Sequence, residues 1–239
     1  MRYLFVVLLA KAFDKLPKRI KIILKNSLGL NNLYYSMLDK HSSELSFQMR
    51  WAKAYNGKSE ELKEALTVVW KKYRCLDEIL KICHFNKEKN VLDVGCGIAT
   101  VLHILEGKKY GLDPLGNEYK KIYKYPADLT IKHGHAEEIP FQDRFFDIVL
   151  CSNALDHTSN PKMALAEIKR VLNCDGFFVL VVEIRDRDTK RDLKHPHTFT
   201  LKSIRDLIDS EKFRIVFEKV MPWHGGVGSD GFIAVMKKE

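Results

Sequence analysis

Two acids 20 residues apart, Asp93 and Asp113, with Gly95 and Gly97 between them, carry the clearest chemistry in this sequence. An ionised carboxylate only accepts hydrogen bonds, and a ribose diol offers two donors, so an acid that ends a short strand suits a sugar. Asp113 stands in such a context, Lys109-Tyr-Gly-Leu-Asp-Pro-Leu. Glycine has no β-carbon, so the chain can turn sharply at Gly95 and Gly97 and a ligand can approach the main chain. A dinucleotide G-x-G-x-x-G loses ground because Thr100 occupies the place of the final glycine, and no G-x-x-x-x-G-K-[ST] is present, which excludes a P-loop. A second set of chemical residues is the histidines. His157 follows an apolar strand, and His195 and His197 flank Pro196. Histidine titrates near neutrality and suits proton removal. It also ligates metals, but His195 and His197 have no third clustered ligand in sequence, so no metal site is expected.

These residues need elements to hold them. Val91, Leu92 and Val94 pack apolar groups around Asp93, as a central parallel strand does, and a helix is expected to open at about Ile98 after the glycine turn. A short strand ends at Asp113. Residues 116–130 read as a short helix and a long loop. Residues 146–151 are almost wholly apolar and form another central strand. Asn160-Pro161 leads into a helix carrying Met163, Leu165, Ile168 and Val171. A fifth strand covers 177–182, and the polar run 184–200 is a surface loop ahead of a helix beginning at about Thr200. Two strands, 213–221 and 231–237, enclose a loop with Trp223 and His224. Upstream, one helix spans about 42–55. Another starts with Ser59 as cap and carries Leu62, Leu66, Val69, Tyr73, Leu76 and Leu80 at helical spacing.

Several motifs recur in order. Asp93-Val-Gly-Cys-Gly-Ile-Ala is an acid followed by G-x-G-x-G with Ala99 for the third glycine. Gly134-His-Ala-Glu-Glu-Ile-Pro-Phe precedes Phe145-Phe-Asp-Ile-Val, and Ser152-Asn-Ala-Leu-Asp-His and Asn173-Cys-Asp-Gly follow. Residues 91–183 resemble the class I S-adenosylmethionine-dependent methyltransferases of the small-molecule, quinone and sugar type. The resemblance implies an α/β fold: a Rossmann-like seven-stranded sheet, mostly parallel with the last strand antiparallel. It also implies a cofactor-binding domain at 86–239 behind a helical extension at 1–85, with Trp51, Tyr55 and Trp70 as residues that could line this cover. The cofactor implied is S-adenosyl-L-methionine, with S-adenosyl-L-homocysteine as product. Contacts are expected from Asp93, Gly95, Cys96 and Gly97, from Asp113 and Pro114, and from Asn153. The family places an aspartate against the adenine where this chain has His135. A neutral imidazole accepts one hydrogen bond, or the backbone of Ala136 and Glu137 takes over.

The reaction expected is methylation of an oxygen on a small-molecule, saccharide or lipid-linked acceptor. His157 or His197 would act as base, with Asp156 or Glu183 orienting it. Two alternatives stay open. An RNA- or tRNA-directed enzyme would use the formal charge of +9, although Ser152-Asn-Ala-Leu departs from the [DNS]-P-P-[YFW] of base-amine enzymes. A non-catalytic binder would keep the fold as scaffold.

The positive charge is concentrated early. Up to Leu38 the basic residues are Arg2, Lys11, Lys15, Lys18, Arg19, Lys21 and Lys25, against Asp14 alone. Ile20, Ile23, Leu24 and Leu28 share a helical face opposite Lys18, Lys21 and Lys25, a pattern that suits an anionic membrane surface or packing on the protein's own core. The apolar run at residues 4–10, ahead of an A-x-A, is short for a signal peptide and far from the roughly 20 residues of a membrane span. Five cysteines with no C-x-x-C pair fit a reducing setting. A cytoplasmic protein with peripheral membrane contact is expected.

Overall fold

The computed structural model describes residues 40–186, 195–223 and 229–239. The expectations for residues 4–10, for the basic helix at 17–28, for His224 and for residues 187–194 of the polar run lie outside these residues.

Seven strands form one sheet in the order β3-β2-β1-β4-β5-β7-β6. They are β1 Asn90–Val94, β2 Lys108–Asp113, β3 Leu129–His133, β4 Phe146–Ser152, β5 Leu172–Ile184, β6 Phe213–Pro222 and β7 Asp230–Lys238. All neighbours pair in parallel except β7, which lies antiparallel between β5 and β6. The expected mostly parallel sheet with a reversed last strand is thus observed. β3 begins in the stretch that reads as loop and runs past it; with only Leu129 and Ile131 buried, it offers too few apolar positions to mark a strand. β1 and β4 are apolar along nearly their whole length because both faces are covered. On one face α5 (Pro161–Val171) and α6 (Leu201–Ser210) bury Leu165, Ile168, Ile204 and Ile208 against Val149, Leu180 and Phe232. On the other, Trp70, Leu76 and Ile79 pack against Val91, Ile148 and Val179. Each such side chain contributes about 1.5–3 kcal/mol on full burial.

The upstream helices are α1 (Lys40–Tyr55), α2 (Ser59–Tyr73) and α3 (Leu76–Cys83). The single helix expected beyond Ser59 is broken. Cys75 adopts a left-handed backbone, φ 54°, and the break turns Arg74 inward. Ser59 is the first helical residue and makes no side-chain cap; Lys58 precedes it as N-cap. The helix expected from Ile98 is also absent, and a 3-10 turn, Val101–His103, stands in its place. The layer of the expected helix is filled by α1 and α2, whose Leu45, Leu62 and Leu66 enclose Ile98 together with Tyr119 of α4 (Gly116–Ile122).

Candidate active site

In an open sheet, ligands bind where the strand order reverses, beyond the carboxyl ends of the strands. Here the chain runs β1-β2-β3 to one side and β4-β5 to the other, so that point lies between β1 and β4. The loops leaving these strands touch. A β-carbon on Gly95 would stand 2.3 Å from Ala154 Cβ. Gly95 and Gly97 have φ of +73° and +57°, a region open to glycine at little cost.

Asp113 ends β2 and braces this loop. Its Oδ2 accepts the Gly97 N–H at 3.0 Å and its Oδ1 the Leu115 N–H at 2.9 Å. Burial pushes its carboxyl up to about 6, against the opposing pull of the Leu115 and Gly97 N–H groups. Pro114 is half-buried between Asp113 and Leu115. Asp93 is buried within β1. Thr100 donates to its Oδ2 at 2.6 Å, while its Oδ1 has no hydrogen-bond partner among the described residues. Burial raises its carboxyl to about 7, with Thr100 and the Arg74 charge opposing. Cys96 sends its thiol under the loop, close to Gly111, so only its backbone belongs to the glycine turn.

Residues not picked out from the sequence complete the wall. Gln48 of α1 accepts the Ile98 N–H at 2.9 Å and is held in turn by Glu44 at 2.8 Å. Arg74 donates to Ser152 Oγ at 2.7 Å from between the rings of Trp70 and Trp223. Neither has a local sequence signal, since both act across long separations. Trp70 is core, and Trp51 stacks on Tyr55 at 5.6 Å beside α2.

His135 is exposed, with its ring 6.2 Å from that of His133. Glu137 accepts the Ser159 and Asn160 N–H groups at 2.6 and 3.1 Å, which ties its motif to the start of α5. Its side chain is therefore engaged there, and Ala136 packs against the core. Asn153 is exposed in a left-handed backbone conformation, φ 54°.

The second site region follows β4. Leu155–His157 is a 3-10 turn, and His157 N–H bonds the Ala154 carbonyl at 3.0 Å. The His197 N–H reaches the Asp156 carbonyl at 3.3 Å, and Arg185 N–H the Phe199 carbonyl at 2.9 Å, so the His-Pro-His segment is laced to the end of β5. His195, rather than His197, is the ring beside His157, at 4.5 Å between centroids. The His197 ring stacks near Phe199, and its Nε2 faces the Ser159 carbonyl at 3.4 Å. Asp156 Oδ2 is 3.8 Å from His157 Nε2. Glu183 pairs with Arg185 at 3.1 Å, not with either expected base.

This architecture defines a Rossmann-like fold with a glycine loop braced by a buried acid, Asp113, at the switch point. Residues 92–180 match the family described as methyltransferase domain, and this match, with the relatives below, supports a class I S-adenosylmethionine-dependent methyltransferase. An uncharacterised protein of Methanocaldococcus jannaschii is 40% identical over 93 residues, covering 38% of this chain and 36% of that one. A demethylmenaquinone methyltransferase of Thermotoga maritima is 29% identical over 159 residues, covering 64% and 67%. The chain thus spans between about a third and two thirds of these relatives' lengths. The fold is also similar to that of a 1,6-didemethyltoxoflavin-N1-methyltransferase of Burkholderia thailandensis, solved with bound S-adenosylhomocysteine. The TM-score is 0.53 and the identity 17%, over 72% of this chain and 81% of that one.

The cofactor of the family is S-adenosylmethionine, and the residues present fit it. The loop lacks side chains at Gly95 and Gly97, and Asp113 keeps acceptor capacity after its two N–H bonds. Asp93 Oδ1, which has no hydrogen-bond partner among the described residues, would offer an acceptor to the ammonium of an amino-acid tail.

Proposed function

We propose that this protein transfers a methyl group to a hydroxyl oxygen of a small-molecule or saccharide-type acceptor, free or lipid-linked. The contact between Gly95 and Ala154 carries the reading, because it joins the nucleotide loop and the histidine turn at one crevice. Asp113 would hold the ribose, Asp93 the ammonium, and the backbone at Gly95–Gly97 the amino-acid tail. The bound cofactor supplies an electrophilic methyl on a sulfonium. Ala136 and the 135–137 backbone would border the adenine, with His135 at its exposed edge and Asn153 at the mouth. His157 would take the acceptor hydroxyl's proton as the oxygen gains the methyl. General-base assistance of this kind is worth roughly 10²–10⁴ in rate. The small-molecule reading is supported by the demethylmenaquinone enzyme among the relatives.

The test has two arms. Calorimetry with S-adenosylmethionine measures cofactor binding for the protein and for Asp113→Ala, which should lose most of it. Transfer from methyl-labelled cofactor is then followed into small-molecule, lipid-soluble and RNA fractions of a cell extract. Label in RNA would replace this reading with a nucleic-acid enzyme served by the +9 charge, and absence of cofactor binding would leave only a scaffold. The basic segment before Ser42 would bring the enzyme to the cytoplasmic face of a membrane. Liposome binding that survives its removal would end that idea.

A further inference from the structure

Asp156, His157 and His195 form a cluster in which one ligand atom from each lies within 4.8 Å of the others. Asp156 is 4% exposed. Its Oδ1 is buried with no hydrogen-bond partner among the described residues, and its Oδ2 stands 3.8 Å from His157 Nε2, beyond hydrogen-bond range. A carboxylate removed from water in this way is ordinarily paired or bound to a metal. The two imidazoles beside it are 4.5 Å apart with planes tilted 54°, so both rings come up to the same carboxylate. We propose that these three side chains bind a divalent first-row transition-metal ion, with at least one coordination position left for an acceptor oxygen.

The donor set supports this choice. Two imidazole nitrogens and one carboxylate oxygen suit zinc, iron, cobalt, nickel or manganese, whereas magnesium and calcium take oxygen shells. Bonds of about 2.0–2.2 Å place neighbouring ligand atoms about 3–3.5 Å apart, so shifts of under about 1 Å per side chain close the observed cluster. The backbone is already arranged. Asp156 and His157 share the 3-10 turn, and the His197 N–H on the Asp156 carbonyl holds the His195 segment alongside. Three protein ligands with an open position is the pattern of catalytic rather than structural sites. The sequence offers no hint of this, because Asp156 and His195 are far apart along the chain.

The ion's role, though not its binding, rests on the methyl-transfer reading. A hydroxyl bound to the metal would be more acidic and would lose its proton to solvent, so with the ion in place His157 would act as ligand, and the base role proposed above would belong to the metal-free protein alone.

The experiment titrates metal-free, tag-free full-length protein with Co²⁺ followed by its visible absorption, and with Zn²⁺ by calorimetry. The expected result is one saturable equivalent, with affinity reduced about tenfold or more in both Asp156→Asn and His195→Ala. His195→Ala removes a half-buried ring from a surface segment, so it keeps the test open if Asp156→Asn folds poorly. No saturable binding, or binding indifferent to both substitutions, overturns the proposal. Methyl transfer is measured separately with and without the metal. A protein that binds the ion but transfers no methyl supports the site and removes the catalytic reading above.

Discussion

The contact between the two loops at the switch point can be broken and then restored. Gly95→Ala places a methyl 2.3 Å from Ala154 Cβ, well inside contact distance, at a φ of +73°. The left-handed backbone costs an alanine about 1–2 kcal/mol, and forcing a methyl into a packed site costs about 1–3 kcal/mol more. The single variant should therefore lose about 2–5 kcal/mol. Ala154→Gly removes the obstructing methyl and leaves Ala154 Cα as the nearest atom, at 3.7 Å, an ordinary contact. Position 154 has φ −134°, so glycine there relieves no strain of its own and costs at most about 1 kcal/mol in chain entropy. In the double variant the clash disappears and the φ cost stays, so a coupling of about 1–3 kcal/mol should appear between the two sites. Urea unfolding of the four proteins in the cycle measures it. Additive losses, or a Gly95→Ala variant as stable as the parent, would refute the apposition of these loops and with it the shared crevice.

Two further outcomes follow from the same geometry. Burial raises Asp93 to about 7 and Asp113 to about 6, while unfolded carboxylates ionise near pH 4. The native state thus keeps protons that the unfolded chain has lost, so this contribution is fully present below about pH 4 and disappears as pH rises through about 6 and 7. Asp93→Asn should flatten the stability profile of the ligand-free protein between about pH 4 and 7, and an unchanged slope in urea midpoints across that range would count against it. Elsewhere, Arg170 donates to Glu167, to Asp143 and to the Ile139 and Phe141 carbonyls, so it clamps the loop after residues 134–138 onto α5. Its side chain is 32% exposed, so solvent screens part of the gain, and Arg170→Met should cost about 1–2 kcal/mol. Faster amide exchange at residues 139–143 is the accompanying sign, and unaltered exchange there would show that the clamp is idle.

Local pattern was enough for much of this molecule. The apolar runs of β1 and β4, the acid closing β2, the glycines that turn the chain after β1, and the Asn160-Pro161 and Thr200 helix starts are all properties of neighbouring residues. Asn160 does cap α5, and Thr200 does form a capping box on α6. β3 escaped that reading because it is short, with only Leu129 and Ile131 buried. The helix expected at Ile98 and the unbroken helix beyond Ser59 failed for a shared reason: packing by distant elements overrode local propensity. α1 and α2 took over the layer that a crossover helix would fill, and the chain broke at Cys75 as Arg74 turned in beneath Trp223.

What the order of residues determined alone was the kind of crevice: strand, glycine turn and strand-ending acid follow from short-range spacing and backbone sterics. Only the tertiary structure decided which side chains share it. Gln48 met Ile98, Arg74 met Ser152, and His195 rather than His197 met His157 and Asp156. Those meetings depend on how parallel strands bring their carboxyl ends to one edge, and on buried polar atoms seeking partners wherever the folded chain supplies them.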